Sequence, residues 1–175
     1  MDTEAGWSKS GYHGWWFGYK LHLSVTTGRL LIPLAAALTP ANVGDNLVAP
    51  GLIAELPEEL HFLLGDTHYN DPELRVLCAA RGLNLVTTRR GPHPHTDGGV
   101  EVRRIFHQLR SQTIEPFNGI FKDLFNWNRQ MPARGLLKTQ LLALGGVWLY
   151  QLALRYQHRL QLEPGKGMKA LLKAA

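Results

Sequence analysis

The sequence predicts an α/β fold, and three observations predict it. The run His61-Phe62-Leu63-Leu64-Gly65-Asp66 is strand-like and ends in an acid. Residues 61–88 follow a strand, helix, strand order with short links, which makes a βαβ crossover and implies parallel pairing. Beyond residue 102 the pattern turns helical, with Ile114, Phe117, Ile120, Phe121, Leu124 and Phe125 on one apolar stripe.

The first 14 residues are polar and glycine-punctuated and are expected to be loop. Residues 15–26 then alternate: Tyr19, Leu21, Leu23 and Val25 share one face, and Lys20, His22 and Ser24 the other, as in a half-buried strand. Thr27-Gly28-Arg29 is a turn into a second strand at residues 30–38, so the pair reads as a hairpin. Asp45-Asn46 can cap a short helix to about residue 56, despite Pro50-Gly51 within it. After the strand ending at Asp66, Asn70-Asp71-Pro72-Glu73 starts a helix, with an acid at the cap and proline in the first turn. That helix runs to Ala80, Arg81-Gly82 closes it, and residues 83–88 form the next strand. Residues 89–102 carry Arg89 and Arg90 among glycines and prolines and read as an irregular basic loop.

Pro116 directly after Glu115 limits the next segment. Either a new helix starts near Glu115 or a longer one kinks there, because proline is free only in a first turn. A last helix spans residues 133–160. One domain is expected over residues 1–160, followed by a basic, flexible tail over 161–175.

Composition narrows the function. Of 175 residues, 45% are apolar and 19% charged, which is ordinary for a globular domain. Nineteen Lys and Arg against 14 Asp and Glu give a net charge of +5 and favour a polyanionic partner, nucleic acid first, although many basic domains bind none. Cys78 is the only cysteine, which excludes an intrachain disulfide and fits a reduced, cytoplasmic setting. The N-terminus lacks the basic start and apolar core of a signal peptide. Residues 136–156 are the most apolar stretch, but Lys138, Gln140, Gln151 and Arg155 interrupt it, so it reads as a buried core helix rather than a membrane span.

The chemistry rests on a few side chains. Asp66 would stand at the C-terminal lip of a buried strand, where open α/β sheets place reactive groups. Glu115 follows 49 residues later, with Lys122 seven residues beyond it on the same helix face. Two carboxylates converging on one spot can hold divalent metal for phosphodiester chemistry. Blander readings stand beside this one: a strand-ending aspartate is commonly a turn or cap, and Glu115 with Lys122 is commonly a solvated face. His93-Pro94-His95 has no third ligand at recognisable spacing and reads as loop. Trp7, Trp15 and Trp16 either stack on bases or pack at a rim.

Four blocks give these residues a family context. They are Trp16-Phe17-Gly18-Tyr19-Lys20-Leu21-His22-Leu23, Leu38-Thr39-Pro40-Ala41-Asn42, Leu64-Gly65-Asp66-Thr67-His68-Tyr69, and the segment from Arg110 through Thr113-Ile114-Glu115-Pro116-Phe117 to Lys122. In that order and spacing they resemble bacterial insertion-sequence transposases of the DDE type, over about residues 2–150. The resemblance implies an RNase H-like domain, a mixed sheet flanked by helices, with three acids holding two magnesium or manganese ions. By match of motifs Asp66 corresponds to the second acid and Glu115 to the third. Lys122 corresponds to a DNA-contacting lysine, and Arg110 to an upstream arginine. In many members that arginine lies four residues before the glutamate, where this chain has Ser111. Arg89 and Arg90, with Arg103 and Arg104, would add salt-sensitive contacts to the DNA backbone.

The first acid is the main departure. The family places it on a central strand upstream of Tyr19-Lys20-Leu21-His22-Leu23. Asp2 is one candidate for that acid, but it stands only shortly before that strand, in a glycine- and serine-rich stretch that does not read as a buried strand. The first core strand and its aspartate are therefore expected to be missing, the chain corresponding to a C-terminal portion. The implied function is metal-dependent DNA cleavage and strand transfer at insertion-sequence ends. An inactive remnant that only binds DNA, and an RNase H-like nuclease that does not transpose, are the alternatives. Expected partners are DNA and either a homodimer mate or an upstream transposase segment, in the cytoplasm with the nucleoid and away from membranes.

Overall fold

The computed structural model describes residues 2–11, 14–28, 30–87, 97–127 and 132–174, and of 97–103, 173 and 174 the backbone only. Three strands open the chain: β1 (Gly6–Ser10), β2 (Gly14–Val25) and β3 (Pro33–Pro40) form an antiparallel sheet with β2 in the middle of the order. Helix α1 (Asp45–Ala54) leads to β4 (Phe62–Gly65), a single 3-10 turn (Thr67–Tyr69), α2 (Pro72–Ala80) and β5 (Asn84–Thr87). Then come α3 (Asp97–Gln112), α4 (Ile114–Leu124), α5 (Leu136–Arg159) and α6 (Met168–Ala174). The result is a mixed α/β arrangement compatible with an RNase H-like fold.

Strand alternation places the helices. On β2, Leu21, Leu23 and Val25 point to the core made with α4, α5 and α6, while buried His22 faces the other way, toward Thr39 and Asp45. On β3, Ala36 joins that same core, whereas Ala35 and Ala37 join the core made with α1 and α2. Helices therefore cover both faces of the antiparallel sheet. The β4–α2–β5 unit pairs its strands in parallel, Phe62 opposite Asn84 through Gly65 opposite Thr87, as the βαβ order required.

Four expectations need correction. Among the described residues β4 and β5 form a sheet of their own, separate from β1–β2–β3, so the single mixed sheet is split in two. The opening segment is not all loop: β1 pairs with the first half of β2, Trp7 opposite Phe17, because that pairing supplies hydrogen bonds that a local reading cannot see. Helix α5 is buried along one face only, with Ala143, Val147, Tyr150 and Leu154 inside and Leu137, Leu141, Trp148 and Tyr156 exposed. The tail contains α6, and its Met168 is buried in the core that α4 and α5 share.

Pro116 settles the helix break. Thr113 takes a non-helical conformation (φ −120°, ψ −82°), α3 ends at Gln112, and α4 begins at Ile114 with Pro116 in its first turn. Helix α4 closes with Asn126 in the left-handed region (φ 56°) and Trp127 N–H donating to the Lys122 carbonyl at 2.8 Å, a Schellman ending. That ending turns Trp127 back onto Phe121, ring centroids 5.4 Å apart.

Candidate active site

Asp66 follows β4 directly and caps the 3-10 turn after it. Its carboxylate accepts from the His68 backbone N–H at 2.8 Å and lies 3.2 Å from His68 Nδ1. The close turn depends on Gly65, where a Cβ would stand 2.8 Å from Tyr69 Cβ. Arg75 braces the loop from α2: its guanidinium donates to the Leu85 carbonyl at 3.0 Å, to Asn70 Oδ1 at 2.8 Å and to Thr87 Oγ1 at 2.7 Å. Asp66 thus caps locally and stands at a strand lip as well. Its side chain remains 35% exposed, open to a ligand.

A polar groove of about 720 Å³ lies beside this lip, lined by Lys9, Lys20, Asp45, Thr67, His68 and Asn70 among others. Asp45 was read from sequence only as a helix cap. In the structure Gly44 holds the cap position and Asp45 is the first helical residue. Lys20 Nζ donates to Asp45 Oδ1 at 3.0 Å and to the Val43 carbonyl at 2.8 Å, which ties β2 to the start of α1. Beneath them, His22 Nδ1 is 3.6 Å from Asp45 Oδ1 and His22 Nε2 is 2.8 Å from Thr39 Oγ1. Burial holds the His22 pKa below its ordinary value, with Asp45 opposing and Lys20 reinforcing that shift. Half-buried Tyr69 has its hydroxyl pKa pushed up to about 12, first by burial and then by the charges of Asp45 and Asp66. A second acid therefore stands near Asp66. Its only sequence signal was an aspartate shortly after the end of a strand.

Glu115 sits in the first turn of α4, where the helix dipole favours an acid. Arg110, from the last turn of α3, reaches across the break to it, Nε to Oε1 at 3.1 Å, with the two side chains 46% and 58% exposed. Lys122 lies two turns along α4, exposed, and among the described residues no ion pair or hydrogen bond engages its ammonium. The structure thus joins Arg110 with Glu115 and keeps Lys122 on the same helix. Asp66 follows β4, which packs on the aliphatic core, and Glu115 stands on α4, which packs on the aromatic one; both side chains are partly exposed. Arg89, Arg90, His93 and His95 lie outside the described residues, as does the side chain of Arg103.

The comparison with protein families decides what this arrangement belongs to. The family model described as the transposase DDE domain matches residues 2–152. The chain belongs to the transposase DDE-domain family. No curated protein and no solved structure matches it.

Members of this family generally use divalent metal ions, and the fit can be tested residue by residue. Asp66 and Glu115 offer the hard oxygen donors that magnesium prefers. Among the described residues, however, no three or more His, Cys, Asp or Glu side chains gather to hold a metal. Asp2 does not fill the gap: its Oδ2 accepts from the Gly135 N–H at 2.7 Å and from the Tyr19 hydroxyl at 2.9 Å. Glu4 adds a bond from the Leu136 N–H at 3.1 Å, so both acids satisfy the start of α5. The Gly135 N–H, above all, keeps the Asp2 pKa below the usual carboxylate range. Asp66 and Glu115 would therefore be the residues to hold such an ion, which would supply a Lewis acid for phosphodiester chemistry, while Asp2 and Glu4 are engaged at the start of α5. Among the described residues no helix is long and apolar enough to cross a membrane.

Proposed function

We propose that this DDE domain serves DNA transposition by metal-dependent cleavage and strand transfer at the ends of an insertion sequence. The family match over residues 2–152 carries this reading, because it spans both acid-bearing segments. Asp66 and Glu115 would be the ligands for magnesium or manganese, although the elements that carry them pack on different cores. Glu115 lies in the first turn of α4 and pairs with Arg110 at 3.1 Å, which supports this reading by fixing the position of its carboxylate. Lys122, Arg110, Arg89 and Arg90 would contact phosphates and set the register of the DNA without reading its bases. DNA is the partner, with a homodimer mate or an upstream transposase segment completing the site, in the cytoplasm beside the nucleoid.

Magnesium-dependent nicking of supercoiled DNA tests the proposal. Nicking should disappear in Asp66→Asn and in Glu115→Gln, and joining of cleaved ends to a target should separate a transposase from a plain nuclease. Nicking that survives both substitutions defeats the assignment of the two acids. One observation favours a second reading: among the described residues no three His, Cys, Asp or Glu side chains gather to hold a metal. A chain that binds DNA without metal and never nicks it would be a non-catalytic DNA-binding remnant.

A further inference from the structure

The β1–β2 hairpin carries a face that the site described above does not use. Trp7 stands opposite Phe17 and Lys9 opposite Trp15, and such cross-strand pairs project to one side of the ribbon. Trp16 and Ser8 belong to the other side. The Trp7 and Phe17 rings are 5.2 Å apart, and Lys9 Nζ sits 5.8 Å from the centre of the Trp15 ring. Trp7 is 57% exposed and Trp15 67% exposed. Two indoles left mostly in water on one small surface mark a binding face, since burying an indole is among the largest apolar gains a side chain can make.

The chemistry of the face selects its occupant. Aromatic rings alternating with a cation match the alternation of base and phosphate along a nucleic-acid strand. Lys9 also lines the polar groove beside Asp66, together with Ser8 from the other side of the ribbon, so the edge of the hairpin borders the groove. Lys20, the other lysine there, is matched by Asp45 at 3.0 Å, whereas Lys9 has no ion pair among the described residues. The groove wall formed by Thr67, His68 and Asn70 is polar and suits a sugar-phosphate backbone. Bases inside a duplex have both faces covered, so only an unpaired or splayed base can lie on Trp7 and Trp15.

We propose that Trp7, Lys9 and Trp15 form a stacking platform for unpaired bases of the DNA strand, which guides its backbone into the groove beside Asp66. This rests on DNA being the substrate of the domain. It adds a site, the hairpin face, and a preferred form of substrate, a single-stranded flank.

Binding of the full chain to three DNAs of one sequence tests this: a single strand, a duplex, and a duplex with a short unpaired flap. Trp15→Ala and Trp7→Ala should each weaken binding of the single strand and the flap by about fivefold to a hundredfold, the range for loss of one base stack, and leave duplex binding unchanged. Trp15→Phe should keep most of the affinity, and Trp148→Ala, on the exposed face of α5, should change nothing. Lys9→Ala should lower the salt slope of binding by about one. Equal affinity of the wild type for flap and duplex, unaltered by both tryptophan variants, overturns the platform and leaves the DNA reading standing. No binding to any of the three DNAs overturns both. Self-association of the chain that Trp15→Ala abolishes, with DNA binding intact, makes the face a contact between copies and also overturns the platform.

Discussion

The core beneath Asp66 is aliphatic, and most of it comes from one stretch of chain: Ala49, Leu52 and Ile53 of α1, Leu74 and Cys78 of α2, and Leu83 and Leu85 around β5. Arg81 locks it from outside, its guanidinium donating to the carbonyls of Ala54 and Leu56 at the end of α1. The core beneath Glu115 is aromatic and joins distant segments. Phe117 and Phe121 of α4 meet Tyr150 of α5 at ring centroid distances of 5.3 and 6.2 Å, with Phe125 and Trp127 closing the cluster. One acid therefore stands on a unit that its neighbours in sequence nearly complete. The other stands on a helix that holds its place only when α5 has docked. This difference predicts that damage to either core loosens one acid before the other.

Phe117→Ala should have the largest effect. Phe117 is fully buried, and its truncation should cost about 3–5 kcal/mol. Amide hydrogen exchange should then accelerate in α4 and α5 more than in β4 and β5. Equal acceleration everywhere would mean that the two cores unfold as one unit, and the comparison fails. Leu74→Ala is the mirror experiment, with an expected cost of about 2–5 kcal/mol and exchange that rises first in α2, β4 and β5.

Adjacent glycines of α5 sharpen the contrast. A Cβ on Gly146 would stand 2.7 Å from the Trp127 ring and 3.5 Å from Phe121 and Phe125, whereas a Cβ on Gly145 meets nothing within 4 Å. Gly146→Val should therefore destabilise by about 1–3 kcal/mol through overpacking of the aromatic core. Gly145→Ala should stabilise by about 0.5–1 kcal/mol, because alanine loses less backbone freedom on entering a helix. Chemical denaturation of the two variants checks both signs.

The smallest effect expected lies between the cores, at His22. Its folded pKa is lowered, so the unfolded chain takes up the proton more readily. The stability it contributes is full above the ordinary histidine value of about 6.5 and is lost as pH falls through the lower folded value. Asp45, Lys20 and Thr39 are the polar groups that face it. The urea midpoint of the wild type should fall on acidification through this range, and more steeply than that of His22→Gln. Parallel curves would show that another group carries the acid sensitivity.

Much of this was legible without coordinates. The alternation Tyr19, Leu21, Leu23, Val25 fixed the buried face of β2, because a strand has a period of two. Asn70-Asp71-Pro72-Glu73 marked the start of α2, where Asp71 accepts from the backbone N–H groups of Glu73 and Leu74. Pro116 announced a break, and α4 begins two residues before it. β1 was missed because Gly6, Ser8 and Ser10 carry no strand propensity; it exists through its pairing with β2. The Asp45 network and the Asp2 clamp on Gly135 were missed for the same kind of reason, since their partners are far away along the chain.

By itself the sequence determined what depends on neighbours along the chain. That covers the periods of strands and helices, the caps, the proline break, and the acid types at Asp66 and Glu115. The tertiary structure alone decided which edges pair, which acids are spent on structure, and where aromatic rings are left in water. The reason is physical: propensity and capping act over a few residues, whereas desolvation, ion pairing and sheet hydrogen bonds depend on groups that only folding brings close.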